Sequence, residues 1–212
     1  MIKVNYESPE VIQQKASDFL KKYHLDLTLP VPIEEIISFD MGIDIIPIQG
    51  LKAVAEKTGL DIDAFYSHQD DSISVDKFIY DKRQTRYRLT LAHEIGHKIL
   101  HGYIYEEVGF KMTSEYVDFI NAMSMKERAK AEWQAYEFAR RILIPKESLF
   151  EEFKKALEGV QEDTELCYDT NPGEVEDLAI KYYLKNKYNL SEMPIRIRLE
   201  NEGMIDKRRE DE

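Results

Sequence analysis

The sequence has little cysteine and no long apolar run. Cys167 is the single cysteine among 212 residues, so no disulfide can form within the chain. No stretch approaches the roughly 18 consecutive apolar residues typical of a membrane-spanning helix. The first ten residues, MIKVNYESPE, also lack the charged-then-apolar pattern of a secretion signal. We therefore expect a soluble, cytoplasmic protein that makes no membrane contact.

Positive charge is also scarce. A total of 29 Lys and Arg residues against 41 Asp and Glu residues gives a formal net charge of −12, which repels a phosphate backbone unless a local basic patch overcomes it. The basic runs are short, KRQTR at 82–86 and DKRRED at 206–211. Two helices predicted at 174–187 and 192–201 are spaced like a DNA-reading pair, but both carry acidic residues. We expect no direct nucleic-acid binding.

The chain does have enough apolar sequence for a core, since 43% of its residues are hydrophobic. Its patterning favours a mostly helical protein with a few strands. The predicted helices lie near 9–23, 32–40, 85–101, 126–144 and 145–159, with Gly102 ending the third of them. A strand is predicted at 43–48, and a β-hairpin at 61–67 and 72–76 around the turn-forming HQDD.

The third predicted helix contains the sequence LTLAHEIGHKILH, residues 89–101. Residues four apart lie about 40° apart around a helix axis and one turn apart along it, so His93 and His97 can bind one metal ion. Glu94 lies about 100° from His93, outside the ligand pair but placed to act on a water molecule at the ion. Gly96 leaves the turn between the ligands without a side chain, which would let another element approach closely.

A catalytic zinc usually has three protein ligands and an open fourth position, so the pair needs a third ligand. His101 cannot be that ligand, because histidines at i, i+4 and i+8 span about 12 Å along a helix. We expect His101 to cap the helix or to support a ligand. The extended motif with a later histidine is excluded, because it requires Gly and His where the chain has Leu100 and Tyr103.

Glu132 is the candidate third ligand. On helix 126–144 it shares a face with an apolar stripe, whereas Glu127 and Glu137 project to the polar side. The stripe contains Ala135, Tyr136, Ala139 and Leu143. A carboxylate on a buried face needs a partner. That partner is either a metal ion or Arg128, one turn back.

These motifs together resemble the ImmA/IrrE family of metallo-endopeptidases. The resembling stretches are RLTLAHEIGHKILH at 88–101, EWQAYEFARRILIP at 132–145, and the earlier LPVPIEEIISFDMGIDIIPI and SISVD. The resemblance implies an α+β, mostly helical, zincin-like domain with a small β-sheet beside the HExxH helix. We assign this domain to residues 1–160 and a helical extension packed on it to 161–212.

The resemblance also implies roles for the motif residues. His93, His97 and Glu132 would bind Zn²⁺, with Mn²⁺ as a second possibility, and Glu94 would be the catalytic general acid/base. The substrate would be a protein, typically a helix-turn-helix repressor whose cleavage switches on a stress response or a mobile element. The alternative is a metal-stabilised binding module that sequesters a repressor or antitoxin without cutting it. Retention of Glu94 favours the enzyme, because a structural zinc site has no use for a free carboxylate.

The chain departs from the family at one position, because the family often has Glu-Ala-Asn where this chain has Gln134-Ala135-Tyr136. Two further segments each have two possible interpretations. The apolar insert at 104–126 is either a packed extra helix or part of a substrate groove. The strand at 72–76 is either an ordinary hairpin strand or the strand to which an extended substrate adds.

The sequence around the other candidate side chains predicts their roles. His101, Tyr103 and Tyr136 are all candidates for stabilising an oxyanion, and the sequence does not choose among them. His24 and His68 have no partner at ligand spacing and are expected at the surface. Cys167 lies in a polar loop without a nearby histidine, which argues against a nucleophilic role.

Overall fold

A computed structural model describes residues 2–163 and 171–207. The strands are β1 (Asp44–Ile48), β2 (Ala64–Ser67) and β3 (Ser72–Asp76). The helices are α1 (Pro9–Tyr23), α2 (Ile33–Glu35, continued by a π-helical turn at Ile36–Asp40), α3 (Leu51–Glu56), α4 (Lys77–Lys82), α5 (Gln84–Glu107), α6 (Thr113–Ala122), α7 (Met125–Leu143), α8 (Lys146–Glu162), α9 (Pro172–Leu178, continued by π-helical Ala179–Leu184), α10 (Lys185–Tyr188) and α11 (Glu192–Asn201). This mostly helical α+β architecture with a small sheet confirms the predicted fold class.

The sheet has the strand order β1-β3-β2. β2 and β3 are antiparallel, with Phe65 opposite Ser74, so the predicted hairpin is confirmed. β1 pairs in parallel with the other side of β3, with Ile45 opposite Ile73. The alternative that a substrate strand adds to 72–76 is therefore wrong, because both edges of β3 are already paired. In the described chain, the edge left without a strand partner near the HExxH helix belongs to β2.

The helices α5 and α7 pack directly against each other in the centre of the protein. Gly96 makes this close packing possible. A Cβ atom added there would lie 2.8 Å from the carbonyl oxygen of Ala135 and 3.0 Å from its Cα. The expectation that Gly96 admits a neighbouring element is confirmed, and the element is the helix that carries Glu132.

Helix α5 is longer than predicted. It continues through Gly102, whose φ is not positive and which therefore does not end the helix. The insert that follows is a packed helix, α6, which buries Tyr116, Val117, Phe119 and Ile120. Aromatic contacts join it to the sheet, with the rings of Phe65 and Tyr116 stacked 4.9 Å apart. Because Tyr116 and Ile120 also line the cavity beside the HExxH helix, the insert is both an extra helix and one wall of that cavity.

The C-terminal helices pack onto the opposite side of α7 through a buried charge cluster. Arg198 of α11 is fully buried and donates to the carbonyl oxygen of Ile144, while Asn201 donates to Glu137. The division at residue 160 stays a prediction, and Cys167 lies outside the described residues. Within the described chain, no helix combines the length and apolarity needed to cross a bilayer.

Candidate metal centre

The histidine pair of α5 meets as its spacing predicts. The Nε2 atoms of His93 and His97 lie 3.0 Å apart, and both residues are buried, with 7% and 2% of their surface exposed. Their neighbours Leu91, Ala92 and Ile95 are fully buried, because the helix is enclosed by the sheet on one side and by α7 on the other. The packing therefore fixes both Nε2 atoms so that they face the same position.

Glu132 completes the cluster from α7. Its Oε2 lies 3.3 Å from His93 Nε2 and its Oε1 lies 3.7 Å from His97 Nε2. Ligands about 2.1 Å from a tetrahedral zinc lie about 3.4 Å from one another, so these separations fit the ion. The Glu132 side chain is 34% exposed, which leaves an open side toward solvent. The residues present could therefore hold a metal ion.

The partner of Glu132 is the histidine pair. No ion pair between Glu132 and Arg128 forms among the described residues, although Arg128 lines the same cavity. Burial alone would raise the pKa of Glu132, but the bond to His93 and the charges of both histidines lower it to about 2. Burial lowers the pKa of His97 well below its ordinary value. Although burial opposes it, the bond to Glu132 raises the pKa of His93, so in the metal-free protein the Glu132 carboxylate takes the place of an ion as the partner of this histidine.

The expected orientation of Glu137 is wrong. Glu137 is only 1% exposed and forms ion pairs with Arg140 at 2.8 Å and Arg141 at 2.6 Å. The helical projection assumed one buried face, whereas α1 and α11 also cover the other side of α7. Glu127 lies near the beginning of α7, where its carboxylate accepts hydrogen bonds from the Val4 amide and from Lys130. Neither carboxylate faces the histidine pair.

Glu94 lies beside the cluster and is 4% exposed. Its Oε2 accepts a hydrogen bond of 2.9 Å from the Tyr66 amide of β2, which fixes the carboxyl group against the sheet. Burial raises the pKa of Glu94 to about 7. A carboxyl group with such a pKa can both accept and donate a proton near neutral pH.

A chain of polar contacts runs from His97 away from the cluster. His97 Nδ1 lies 3.1 Å from His101 Nδ1, and His101 Nε2 lies 3.3 Å from Gln134 Nε2. Gln134 in turn accepts from the Glu7 amide and donates to the Asn5 carbonyl. His101 therefore supports His97, which is one of the two roles predicted for it. The contribution of the N-terminal segment was missed, since an extended stretch without periodicity gives no sequence signal for it.

The cavity beside the cluster distinguishes the three oxyanion candidates. His101 is occupied by His97 and Gln134, and the Tyr103 hydroxyl accepts from the Asn5 amide. Tyr136 does line the cavity, with its ring centroid 4.1 Å from that of His93. Although expected in the buried stripe, Tyr136 is 41% exposed.

The remaining histidines lie outside the cluster. His68 is exposed, as expected. His24 is 6% exposed, contrary to the surface position expected for it. Its Nε2 lies 2.8 Å from the Thr28 carbonyl oxygen, so it closes the loop after α1.

The fold and the cluster together define a metallopeptidase-type domain. The model of the Peptidase M78 family, described as IrrE N-terminal-like domain, matches residues 63–200, and the chain belongs to this family. The resemblance to ImmA/IrrE proteins is thereby confirmed. No curated protein matches the chain.

Among solved structures, the chain is similar to a Mycobacterium tuberculosis transcriptional regulator, with 14% sequence identity and a TM-score of 0.48. The similarity covers 89% of this chain and 46% of that protein. The chain therefore spans less than half the length of this regulator.

Proposed function

We propose that the protein is a zinc-dependent endopeptidase in which His93, His97 and Glu132 bind the metal and Glu94 is the catalytic acid/base. The observation that carries the proposal is the buried Glu94 carboxyl, which lies next to the three-ligand cluster without belonging to it. A bound Zn²⁺ would supply a Lewis acid that lowers the pKa of a water molecule and polarises the scissile carbonyl. Mn²⁺ could provide the same chemistry.

Glu94 would move the proton. The Tyr66 amide holds Oε2, which leaves Oε1 to take a proton from the attacking water and pass it to the departing amine nitrogen. Tyr136, on the cavity wall against His93, would donate its hydroxyl hydrogen to the oxygen that gains charge. Burial raises the pKa of Tyr136 to about 12, so this hydroxyl keeps its proton at neutral pH.

The outer edge of β2 would align the substrate. The Asp63 carbonyl accepts from the Asp76 amide on β3, and alternate residues of a strand point their backbone groups to opposite sides. The amide and carbonyl of Ala64 therefore point away from β3, on the side where Ala64 lines the cavity. An extended polypeptide pairing there would pass directly over the metal cluster.

The proposed substrate is a helix-turn-helix repressor, whose cleavage in the cytoplasm would switch on a stress response or a mobile element. This part of the proposal is supported by the family to which the chain belongs. The alternative, a binding module that holds such a repressor without cutting it, uses the same metal cluster but has no role for Glu94.

One experiment separates the two functions. The zinc-loaded protein is incubated with helix-turn-helix repressors, any encoded beside its gene among them, and with a mixed peptide library. The products are identified by mass spectrometry. We expect new termini with the native chain and none with Glu94→Gln. The control Glu151→Gln changes an exposed carboxylate of α8 and should cut normally. Stable binding without new termini from either the repressors or the library would reject the endopeptidase.

A further inference from the structure

A second cavity continues from the metal centre. Its volume is about 830 Å³, and it shares Asp63, Arg86, Thr90 and Tyr136 with the cavity beside the cluster. It runs as an open groove from these residues between α4, the beginning of α5 and α11. A polypeptide that crosses the metal centre along β2 can therefore continue into the groove without leaving the surface.

The groove offers apolar surface for a large side chain. Phe78 on α4 and Met193 on α11 stand at its rims with 56% and 63% of their surface exposed. The remaining apolar lining residues are Ile79, Leu89, Pro194 and Ile197. Exposed apolar side chains on facing elements leave a site that a bulky apolar group would fill.

The groove is also rich in cations although the chain is acidic overall. Lys52 and Arg86 are neutralised by ion pairs with Asp61 and Asp63. Arg140 is paired with Glu137.

Arg83 differs from these cations. Its guanidinium carbon lies 5.4 Å from the centre of the Phe78 ring, and within the described chain no carboxylate lies at ion-pair distance from it. Among the described residues, the groove therefore presents an unneutralised guanidinium next to its apolar rim. Guanidinium groups bind carboxylates through paired hydrogen bonds.

We propose that this groove binds the substrate polypeptide next to the scissile bond and selects a bulky apolar residue accompanied by an Asp or Glu. The apolar side chain would lie between Phe78 and Met193, and the carboxylate would pair with Arg83. The net charge of −12 repels acidic polypeptides elsewhere on the surface, so the groove is where such a segment would be accepted. This inference rests on the proposed function, because it assumes that the metal centre receives a polypeptide.

The test measures binding, so that it does not depend on cleavage. Zinc-loaded Glu94→Gln is applied to an array of immobilised 12-residue peptides in which Leu or Phe is combined with Asp, Glu, Lys or Ser. We expect peptides with Leu or Phe plus Asp or Glu to bind about tenfold more tightly than those with Lys. Adding Arg83→Glu should reverse this preference, and adding Phe78→Ser should weaken binding of all peptides with a large apolar residue.

A matched control uses Lys154→Glu, which makes the same charge change on an exposed residue of α8 outside the groove. The control should keep the preference for acidic peptides. Arg83 is exposed, so its replacement should leave the fold intact, and circular dichroism would verify this. Equal binding of acidic and basic peptides, an unchanged preference in Arg83→Glu, or no peptide binding would overturn the proposal.

The same peptides separate this proposal from the endopeptidase itself. If the selected peptides bind but the native zinc-loaded chain leaves them intact, the endopeptidase function fails and the groove assignment stands. If the native chain cuts peptides without regard to acidic residues, the endopeptidase stands and the groove assignment fails.

Discussion

The Nδ1 atoms of His97 and His101 lie 3.1 Å apart, so a histidine that cannot reach the metal site fixes one that can. Groups that orient a metal-ligating histidine typically change metal affinity by 10–100-fold when removed. Gln134, whose side-chain nitrogen lies 3.3 Å from His101 Nε2, is anchored by two backbone groups of the N-terminal segment. The segment before α1 thus belongs to the support of the candidate metal centre.

We predict that His101→Phe and Gln134→Leu lower zinc affinity about 10–100-fold without removing the site. Competition with a fluorescent chelator measures this directly. Tyr103→Phe is the matched control, because it removes a contact to Asn5 but none to His101. Should all three variants bind zinc as tightly as the native chain, His101 would have only a packing role.

A second prediction concerns the close contact of α5 and α7. Gly96→Ala would place a methyl group 2.8 Å from a backbone oxygen of Ala135, and a backbone atom cannot move aside as a flexible side chain can. We expect a loss of about 1–3 kcal/mol in the free energy of unfolding, together with weaker zinc binding as the helices separate. Urea unfolding and chelator competition provide the two measurements.

Gly102→Ala is the matched control for that change. It makes the same substitution in the same helix, where nothing lies within 4 Å of the added Cβ. Because Ala favours helix over Gly, this variant should gain up to about 1 kcal/mol. Similar destabilisation by both variants would mean that the effect arises from the helix and not from contact with Ala135.

A third prediction separates Glu132 from Glu137. Glu132→Gln should weaken zinc binding strongly, because a neutral amide is a poor zinc ligand. It should also cost the metal-free fold some stability at neutral pH, because the histidines lower the pKa of Glu132 and so stabilise its carboxylate in the folded chain. Glu137→Gln should lower stability by about 3 kcal/mol, because it leaves Arg140 buried without a carboxylate and Arg141 with Glu202 alone, while zinc affinity is kept. Both quantities are measured on the same two proteins. If Glu137→Gln is the variant that loses zinc, the assignment of the third ligand is wrong.

The features predicted from the sequence are those that depend on local spacing. The pairing of His93 with His97 follows from the helical repeat, and the role of Gly96 follows from its place between them. The inward position of Glu132 was also predicted, since its helix face could be compared with an apolar stripe. Each of these predictions depends on the geometry of a single helix.

The features that were missed depend on how elements meet. The burial of Glu137 arises because a second layer, α1 and α11, covers the face that the helical projection left polar. β3 is the central strand because β1, which comes earlier in the chain, pairs in parallel with its second edge. The contact from Asn5 to Gln134 joins residues 129 positions apart, and no periodicity within either segment indicates it.

The last prediction concerns Glu94 in the metal-free protein. Burial raises its pKa from an ordinary value of 4.5 to about 7. At low pH the Glu94 carboxyl is protonated and neutral in both the folded and the unfolded chain, so burying it carries no cost from charge. As the pH rises from 4.5 to 7, the unfolded chain releases this proton while the folded chain keeps it, so stability is lost across this range and levels off above 7, where the folded chain holds a buried carboxylate. The difference corresponds to about 3 kcal/mol at pH 8 and less than about 1 kcal/mol at pH 5.

Glu94→Gln, which removes the charge but keeps the shape, should therefore stabilise the metal-free chain at pH 8 by up to about 3 kcal/mol and at pH 5 by much less. Urea unfolding in the presence of a chelator, at both pH values, measures the effect. Glu151→Gln, at an exposed position of α8, should stay within about 0.5 kcal/mol of the native chain at either pH. A gain that is equal at the two pH values, or a loss at pH 8, would show that the folded protein does not pay for an ionised Glu94 and that its carboxyl is not held in the proton-exchanging range near neutrality.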